Sequence, residues 1–259
     1  MPKAVAPGYG LAMGTTTTEI ELKLLLPSAE AYTRLLAHLD PTDAAPLEEQ
    51  ANQFFDTPTL ELRTNGLSLR LRESVTTEPA TSGLPVCTQT LTLKGRSLDD
   101  HMQSPLSVRP EIELAISDDE ARAIHAQMRD PLDVLSAHGS EAARILIAAA
   151  RRAAAGAPLL AVGRFQNTRR HIPVPLALPS GGTSVTLEID RTVFAPDDLA
   201  YEVEVEIPDE RDVSAALELL KGLLAGLGIE GKNAPGKATR FFSRLQHARP
   251  LHARSQNAR

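Results

Sequence analysis

Eight stretches of the chain read as strands, and in most of them apolar and polar side chains alternate with a period of two: 18–26, 50–55, 67–73, 87–95, 107–116, 159–172, 183–192 and 200–207. That period belongs to a strand whose two faces differ, so each stretch is expected to be a β-strand. Helices interrupt the series. Ser28 is placed to cap a helix reaching about His38, with Glu30 in the first turn where the helix dipole favours an acid. Ser117, followed by Asp118, Asp119 and Glu120, opens a second helix to about Met128. The segment 140–155 is alanine-rich and ends at Gly156, and 212–227 sets Val213, Ala216, Leu217, Leu220, Leu223 and Leu224 on one face before Gly228. A short helix over 236–245 completes the set. Segments 74–85 and 95–107 carry Pro, Gly, Ser and Thr and read as loops, and Gly181-Gly182 reads as a hairpin turn.

Eight strands with few long helices predict the α+β class, as an antiparallel sheet or closed barrel with helices packed outside. No internal repeat and no linker separates two cores, so one domain is expected over 18–246. The flanking stretches 1–17 and 247–259 are expected to be flexible tails.

Composition narrows the partners. The chain has 259 residues, 42% hydrophobic and 23% charged, which is ordinary for a globular protein. Its net charge of -6 argues against unselective nucleic-acid binding. No apolar run is long enough to span a bilayer, and residues 1–18 lack a signal-peptide core. The single cysteine, Cys87, excludes an internal disulfide framework and is expected to pack at an apolar strand start. The seven histidines show no metal-ligand spacing and are expected to be surface or satisfied residues. Asp56, before Thr57-Pro58, is expected to organise a turn. The expected location is the cytoplasm, with an organelle as the alternative, and the expected state is a monomer or weak dimer.

The polar faces of the strands are ionic rather than mixed. Glu19, Glu21 and Lys23 oppose Ile20, Leu22 and Leu24; Arg70 and Arg72 oppose Leu69 and Leu71; Lys94 opposes Leu91 and Leu93. Arg109, Glu111 and Glu113 oppose Ile112 and Leu114, Glu188 and Asp190 oppose Leu187 and Ile189, and Glu202, Glu204 and Glu206 oppose Val203, Val205 and Ile207. A half-buried sheet that shows its polar face to water explains any one strand. Consecutive acids on one strand face repel, however, and solubility does not require them. If the sheet closes with its ionic faces inward, helices cover the apolar faces. Such charges must be paired, hydrated or bound to a ligand. Bases from several strands suit a polyanion and clustered carboxylates suit a hard divalent cation, so a metal-chelated phosphate chain meets both demands.

The residues that carry these charges resemble a known family. Glu19-Ile20-Glu21-Leu22-Lys23 is similar to the Glu-x-Glu-x-Lys signature of the CYTH superfamily, the triphosphate tunnel metalloenzymes. It is followed in order by Gln53-Phe54-Phe55-Asp56-Thr57-Pro58, Leu69-Arg70-Leu71-Arg72, Leu91-Thr92-Leu93-Lys94 and Arg109-Pro110-Glu111-Ile112-Glu113. Arg169-Arg170, Leu187-Glu188-Ile189-Asp190, Tyr201-Glu202-Val203-Glu204-Val205-Glu206 and Lys237 complete a resemblance spanning about 18–245. The forms of the aromatic-Asp-Thr-Pro and Tyr-Glu-Val-Glu-Val-Glu segments look most like plant-type inorganic tripolyphosphatases.

The resemblance implies an eight-stranded antiparallel tunnel that hydrolyses a triphosphate, most of all inorganic tripolyphosphate, with Mg2+ or Mn2+. It implies that Lys23, Arg70, Arg72, Lys94, Arg169 and Lys237 hold the phosphate chain. Arg170 is the alternative to Arg169, because strand phase there is ambiguous, and Arg96 is a candidate beside Lys94. Glu19, Glu21, Glu188, Asp190, Glu202 and Glu204 would bind metal directly or through water. Glu21 or Glu204 would orient the attacking water, and Lys94 or Lys237 would neutralise the leaving group. With Glu111, Glu113 and Glu206 the lining would hold more acids than bases, so the empty site is expected to be net acidic and to need metal before it binds polyphosphate. Thiamine triphosphate hydrolysis and a low-turnover polyphosphate-binding protein are the alternatives. The segment 117–156 maps to no active-site role, and no base-reading element of an adenylyl cyclase is visible.

Overall fold

The computed structural model describes residues 15–77, 84–97, 104–137, 140–233 and 235–248. Eight strands form one closed antiparallel barrel: β1 (Thr15–Leu26), β2 (Leu47–Asp56), β3 (Ser68–Thr77), β4 (Val86–Lys94), β5 (Leu106–Ile116), β6 (Leu160–Pro175), β7 (Ser184–Ala195) and β8 (Asp198–Glu206). Around the barrel the order is β1-β5-β4-β3-β2-β6-β7-β8, closed where β1 pairs with β8. All eight expected strands are present. Closure leaves no free sheet edge and forces one face of every strand inward. The expected flexible tails fall largely on residues 1–14 and 249–259, outside the described residues.

The apolar faces point outward, under helices. α1 (Ala29–Leu39) begins at Ser28, whose Oγ accepts from the Ala31 backbone N–H at 3.2 Å. With α6 (Val213–Gly226) it covers Ile20, Leu22, Leu24, Leu187, Ile189, Val203 and Val205, through Leu35, Ala216, Leu220 and Leu224. The other half of the barrel, with Leu69, Leu71, Leu91, Leu93 and Ile112, lies beneath four helices: α2 (Glu61–Thr64), α3 (Asp118–His125), α4 (Pro131–Ser136) and α5 (Glu141–Ala154). The alanine-rich segment thus has a packing role: Ala143 and Ala150 are fully buried and Leu146 and Ile147 nearly so. Each fully buried leucine contributes roughly 1.5–3 kcal/mol of transfer free energy.

Asp56 does organise a turn. Its carboxylate accepts from the backbone N–H groups of Thr57, Leu62 and Arg63 at 2.7, 2.9 and 2.9 Å and so starts α2. α7 (Lys237–Ala248) packs Phe241 and Phe242 on Phe54 and Phe165. Gly163, at φ +153°, lets Phe241 approach: a Cβ there would lie 2.8 Å from the ring.

Several expectations need correction. β3 continues to Thr77, so 74–77 is strand rather than loop. The second helix ends at His125 and is followed by the unforeseen α4, in which Pro131 occupies the first turn behind the Asp130 cap. Cys87 is exposed at the start of β4, where Val86 and Thr88 are exposed as well, so the apolar packing expected there is absent among the described residues. Among the described residues no helix is long and apolar enough to cross a membrane.

Candidate active site

Closing the barrel with its ionic faces inward creates a cavity of about 280 Å³. Its wall includes Glu19, Glu21 and Lys23 from β1, Arg70 and Arg72 from β3, Lys94 from β4, Arg109, Glu111 and Glu113 from β5, Arg169 from β6, Glu188 from β7, Glu204 and Glu206 from β8, and Lys237 from the start of α7. Asp190 and Glu202 lie behind this surface, 0% and 1% exposed. The phase of β6 is settled: Arg169 faces inward, whereas Arg170 faces outward, donating to the Ala45 carbonyl and contacting Asp43. Arg96 is exposed, with its side chain against Gly66.

Strand register sets acid against acid along one seam. Glu188 faces Glu204 and Asp190 faces Glu202 across β7 and β8, and Glu21 faces Glu206 across β1 and β8. Like charges directly opposite destabilise a sheet. Two cations offset that repulsion. Arg169 donates from Nε and Nη2 to both oxygens of Asp190 at 2.8 and 2.6 Å, from Nη2 to Glu204 at 2.8 Å, and contacts Glu188 through Nη1. The Lys237 ammonium lies 2.7 Å from Asp190 Oδ2 and 2.8 Å from Glu204 Oε1, and also contacts Glu202. Arg240 of α7 contacts the other oxygen of Glu202 and lies over the Phe194 ring at 5.4 Å.

These contacts divide the acids. Burial opposes ionisation of Glu204 and Asp190, yet Lys237 and Arg169, joined by Lys23 at Glu204, hold both below the usual carboxylate range. Burial raises Glu188 to about 7, with Asp190, Glu204 and Glu21 adding to the rise against Arg169. Glu202 is likewise raised to about 7 by burial and by Glu204. Lys237, despite burial, is held protonated by its three acids.

A second cluster lies where β1, β5 and β4 meet. Lys94 Nζ is 2.6 Å from Glu19 and 3.2 Å from Glu111, and Arg109 Nε donates to Glu19 at 2.8 Å. Glu19 is buried, but Lys94 and Arg109 keep it well below its ordinary pKa. Lys23 Nζ lies 2.5 Å from Glu21 and 3.7 Å from Glu204, linking the two clusters.

Arg70 and Arg72 differ from every other base in the wall. Arg70 Nη2 donates to Thr92 Oγ1 at 3.3 Å and its buried Nε has no partner; Arg72 Nε donates to Asn52 Oδ1 at 3.2 Å. Neither forms a salt bridge among the described residues. Burial, with Arg72 alongside, lowers Arg70 to about 9. A wall of paired cations and crowded acids therefore faces two guanidinium groups without a salt bridge among the described residues.

The donor set fits a divalent cation. One oxygen each from Asp190, Glu202 and Glu204 lie within 4.8 Å of one another, and hard cations take carboxylate oxygen. Lys237 contacts all three of these carboxylates here, so an ion at that triad would take its place. Glu19, Glu21, Glu188 and Glu204 offer carboxylates directly to the cavity. The sequence reading assigned no role to Arg109, Arg240, Glu48 or His171. The signal for His171 was its position two residues after Arg169, which puts both on one strand face.

The profile of a family described as the CYTH domain matches residues 17–242. Comparison with curated proteins finds no match. Among solved structures, a Hippeastrum protein described as a putative adenylyl cyclase with a dominant triphosphatase activity is 26% identical, with a TM-score of 0.65 over 87% of this chain and 96% of that one. A putative adenylate cyclase from Bacillus halodurans is 21% identical, with a TM-score of 0.56 over 88% and 98%. The PH1819 protein from Pyrococcus horikoshii is 16% identical, with a TM-score of 0.52 over 86% and 99%. The latter two share the fold.

Proposed function

The chain belongs to the CYTH domain family, and from that premise we propose that it is a triphosphatase, hydrolysing inorganic tripolyphosphate to pyrophosphate and phosphate with Mg2+ or Mn2+. The observation that carries the reading is the polarity of the cavity: Arg70 and Arg72 form no salt bridge among the described residues, opposite a seam of acids in excess. The dominant triphosphatase activity of the Hippeastrum protein supports it.

Arg70 and Arg72 hold the phosphate chain, supplying planar donors to oxygens that no carboxylate of the protein takes. Lys94 and Lys23 add charge from the neighbouring strands. Glu21 orients the attacking water: it lines the cavity with Lys23 as its close partner, whereas Glu204 is engaged by Lys23, Arg169 and Lys237. Water passes a proton to the Glu21 carboxylate as its oxygen adds to the terminal phosphorus, the bridging P–O bond breaks, and the departing pyrophosphate leaves with charge stabilised by Lys94 or Lys237. A divalent cation, held by Glu188, Glu204, Glu19 or Glu21 and, once Lys237 withdraws, by Asp190 and Glu202, would neutralise phosphate charge and acidify water.

An inorganic chain is favoured over a nucleotide or thiamine ester. Phe54 and Phe165 border the cavity but are 2% and 3% exposed, stacked among Phe241, Phe242 and Phe194, so neither offers a free face to an aromatic ring. The test is phosphate release from tripolyphosphate, thiamine triphosphate and ATP with Mg2+ or Mn2+. Fastest turnover on tripolyphosphate supports the reading; a cyclic product from ATP, or turnover of none of the three, overturns it.

A further inference from the structure

His171 lines the cavity on the same face of β6 as Arg169. Its Nε2 lies 2.9 Å from Glu48 Oε2, a hydrogen-bond distance, while Nδ1 lies 3.8 Å from Glu188 Oε1, too far for one. Burial works against ionisation of Glu48, yet hydrogen bonds from His171, Ser74 and Gln50, with Arg72 nearby, lower it to about 2. A carboxylate oxygen accepts at this distance, so Nε2 is the nitrogen that donates to Glu48. In the neutral ring this leaves the lone pair on Nδ1. Glu188 is divided in the same way: Oε2 contacts Arg169, and Oε1 has only the long approach to His171.

What stands at the wall is one nitrogen lone pair and one carboxylate oxygen, each without a hydrogen-bond partner among the described residues. Metal–nitrogen distances of about 2.0–2.1 Å and metal–oxygen distances of about 2.0–2.2 Å allow a single ion to span them. A carboxylate behind the far nitrogen is the usual means of orienting a metal-binding imidazole.

We propose that His171 Nδ1 and Glu188 Oε1 are the protein ligands of a mixed nitrogen–oxygen cation subsite, with Glu48 as the positioning residue behind the ring. This rests on the metal-dependent reading of the cavity and deepens it. Carboxylates alone suit Mg2+, whereas an imidazole ligand shifts preference toward first-row transition ions, least for Mn2+ and increasingly along the series toward Zn2+. Phosphate oxygens and water complete the coordination.

Mn2+ added to the full chain without substrate provides the probe. Pulsed electron paramagnetic resonance is expected to show nitrogen modulation from bound Mn2+ that changes character in protein carrying 15N-histidine and disappears in His171→Gln. Titration should show Mn2+ affinity falling about tenfold or more in that variant, on the scale of lost shell residues, while Mg2+ affinity stays within about twofold. Glu48→Gln keeps the ring but removes its anionic support, and is expected to lower Mn2+ affinity about tenfold, which covers the case of His171→Gln failing to fold. Bound Mn2+ with no histidine nitrogen, or Mn2+ and Mg2+ affinities that fall together, would overturn the inference and leave the triphosphatase reading standing. No bound Mn2+, with or without tripolyphosphate, would overturn both.

Discussion

The ammonium of Lys237 lies 2.7 Å from Asp190 Oδ2, at the centre of a triad of buried carboxylates that a divalent cation would also fit. The lysine comes from α7 and the acids from β7 and β8, so docking of the last helix adds a second counter-charge to the one that Arg169 of β6 brings to this seam. Lys237→Met should destabilise the metal-free protein by about 3–5 kcal/mol, the usual cost of stranding a buried charge. Mg2+ or Mn2+ should restore more of the melting temperature in the variant than it adds to the wild type. Thermal melts with and without metal check this; equal metal-induced shifts in both proteins would remove the lysine from competition with the ion.

Arg70 and Arg169 should respond in opposite ways to truncation. Arg70→Ala or Arg72→Ala strands no carboxylate, so stability should hold while KM for tripolyphosphate rises about 10- to 100-fold, as expected for a lost charge-assisted contact. Arg169→Ala uncovers Glu188, Asp190 and Glu204 and should cost about 3–5 kcal/mol. Denaturant titrations beside steady-state kinetics separate the two. A large stability loss in Arg70→Ala would mean that its anion partner is already within the protein.

Glu188 and Glu202, both raised to about 7, set a pH dependence. A folded-state pKa above the unfolded value near 4.5 means the folded protein binds the proton more tightly. The associated stability is full below about 4.5 and is lost as pH rises through about 7. Metal-free protein should therefore be more stable at pH 5.5 than at pH 8. Because metal displaces these protons, its apparent affinity should climb over the same interval, with protons released on binding. Calorimetry in two buffers of different ionisation enthalpy measures that release; affinity independent of pH would exclude both acids from the metal site.

Glu21→Gln removes a charge but keeps an oxygen toward Lys23. Turnover should fall about 10²- to 10⁴-fold, the range for loss of a general base, with a melting shift of only a few degrees. An unchanged kcat would transfer the water-orienting role to Glu204.

The strands were legible because their faces are so unlike: Leu69 and Leu71 against Arg70 and Arg72 leave no other period. β3 was read too short because Ser74–Thr77 lacks that contrast, although backbone pairing with β4 carries it on to Thr76. α4 was unforeseen because its six residues are too few to show a helical period, and Pro131 opens it where a missing N–H costs nothing. Cys87 was placed in a core by its apolar neighbours, but whether a helix covers that part of the sheet is a tertiary fact. The inward residues followed from strand phase, except at Arg169-Arg170, where two adjacent bases fit either phase. Their pairing did not follow. Lys237 meets Asp190, Glu202 and Glu204 only because α7 docks on the barrel, and His171 meets Glu48 only because β2 and β6 are neighbours in the closed sheet. Such contacts depend on barrel order, which no local pattern encodes.

Equilibrium binding of tripolyphosphate to the Glu21→Gln protein by calorimetry, in excess Mg2+ and again in excess chelator, goes to the heart of the case. A cavity with more acids than bases should bind the anion tightly in the first condition and lose that affinity by orders of magnitude in the second. Equal affinity in both would contradict the account, because the arginines of β3 would then suffice without any ion.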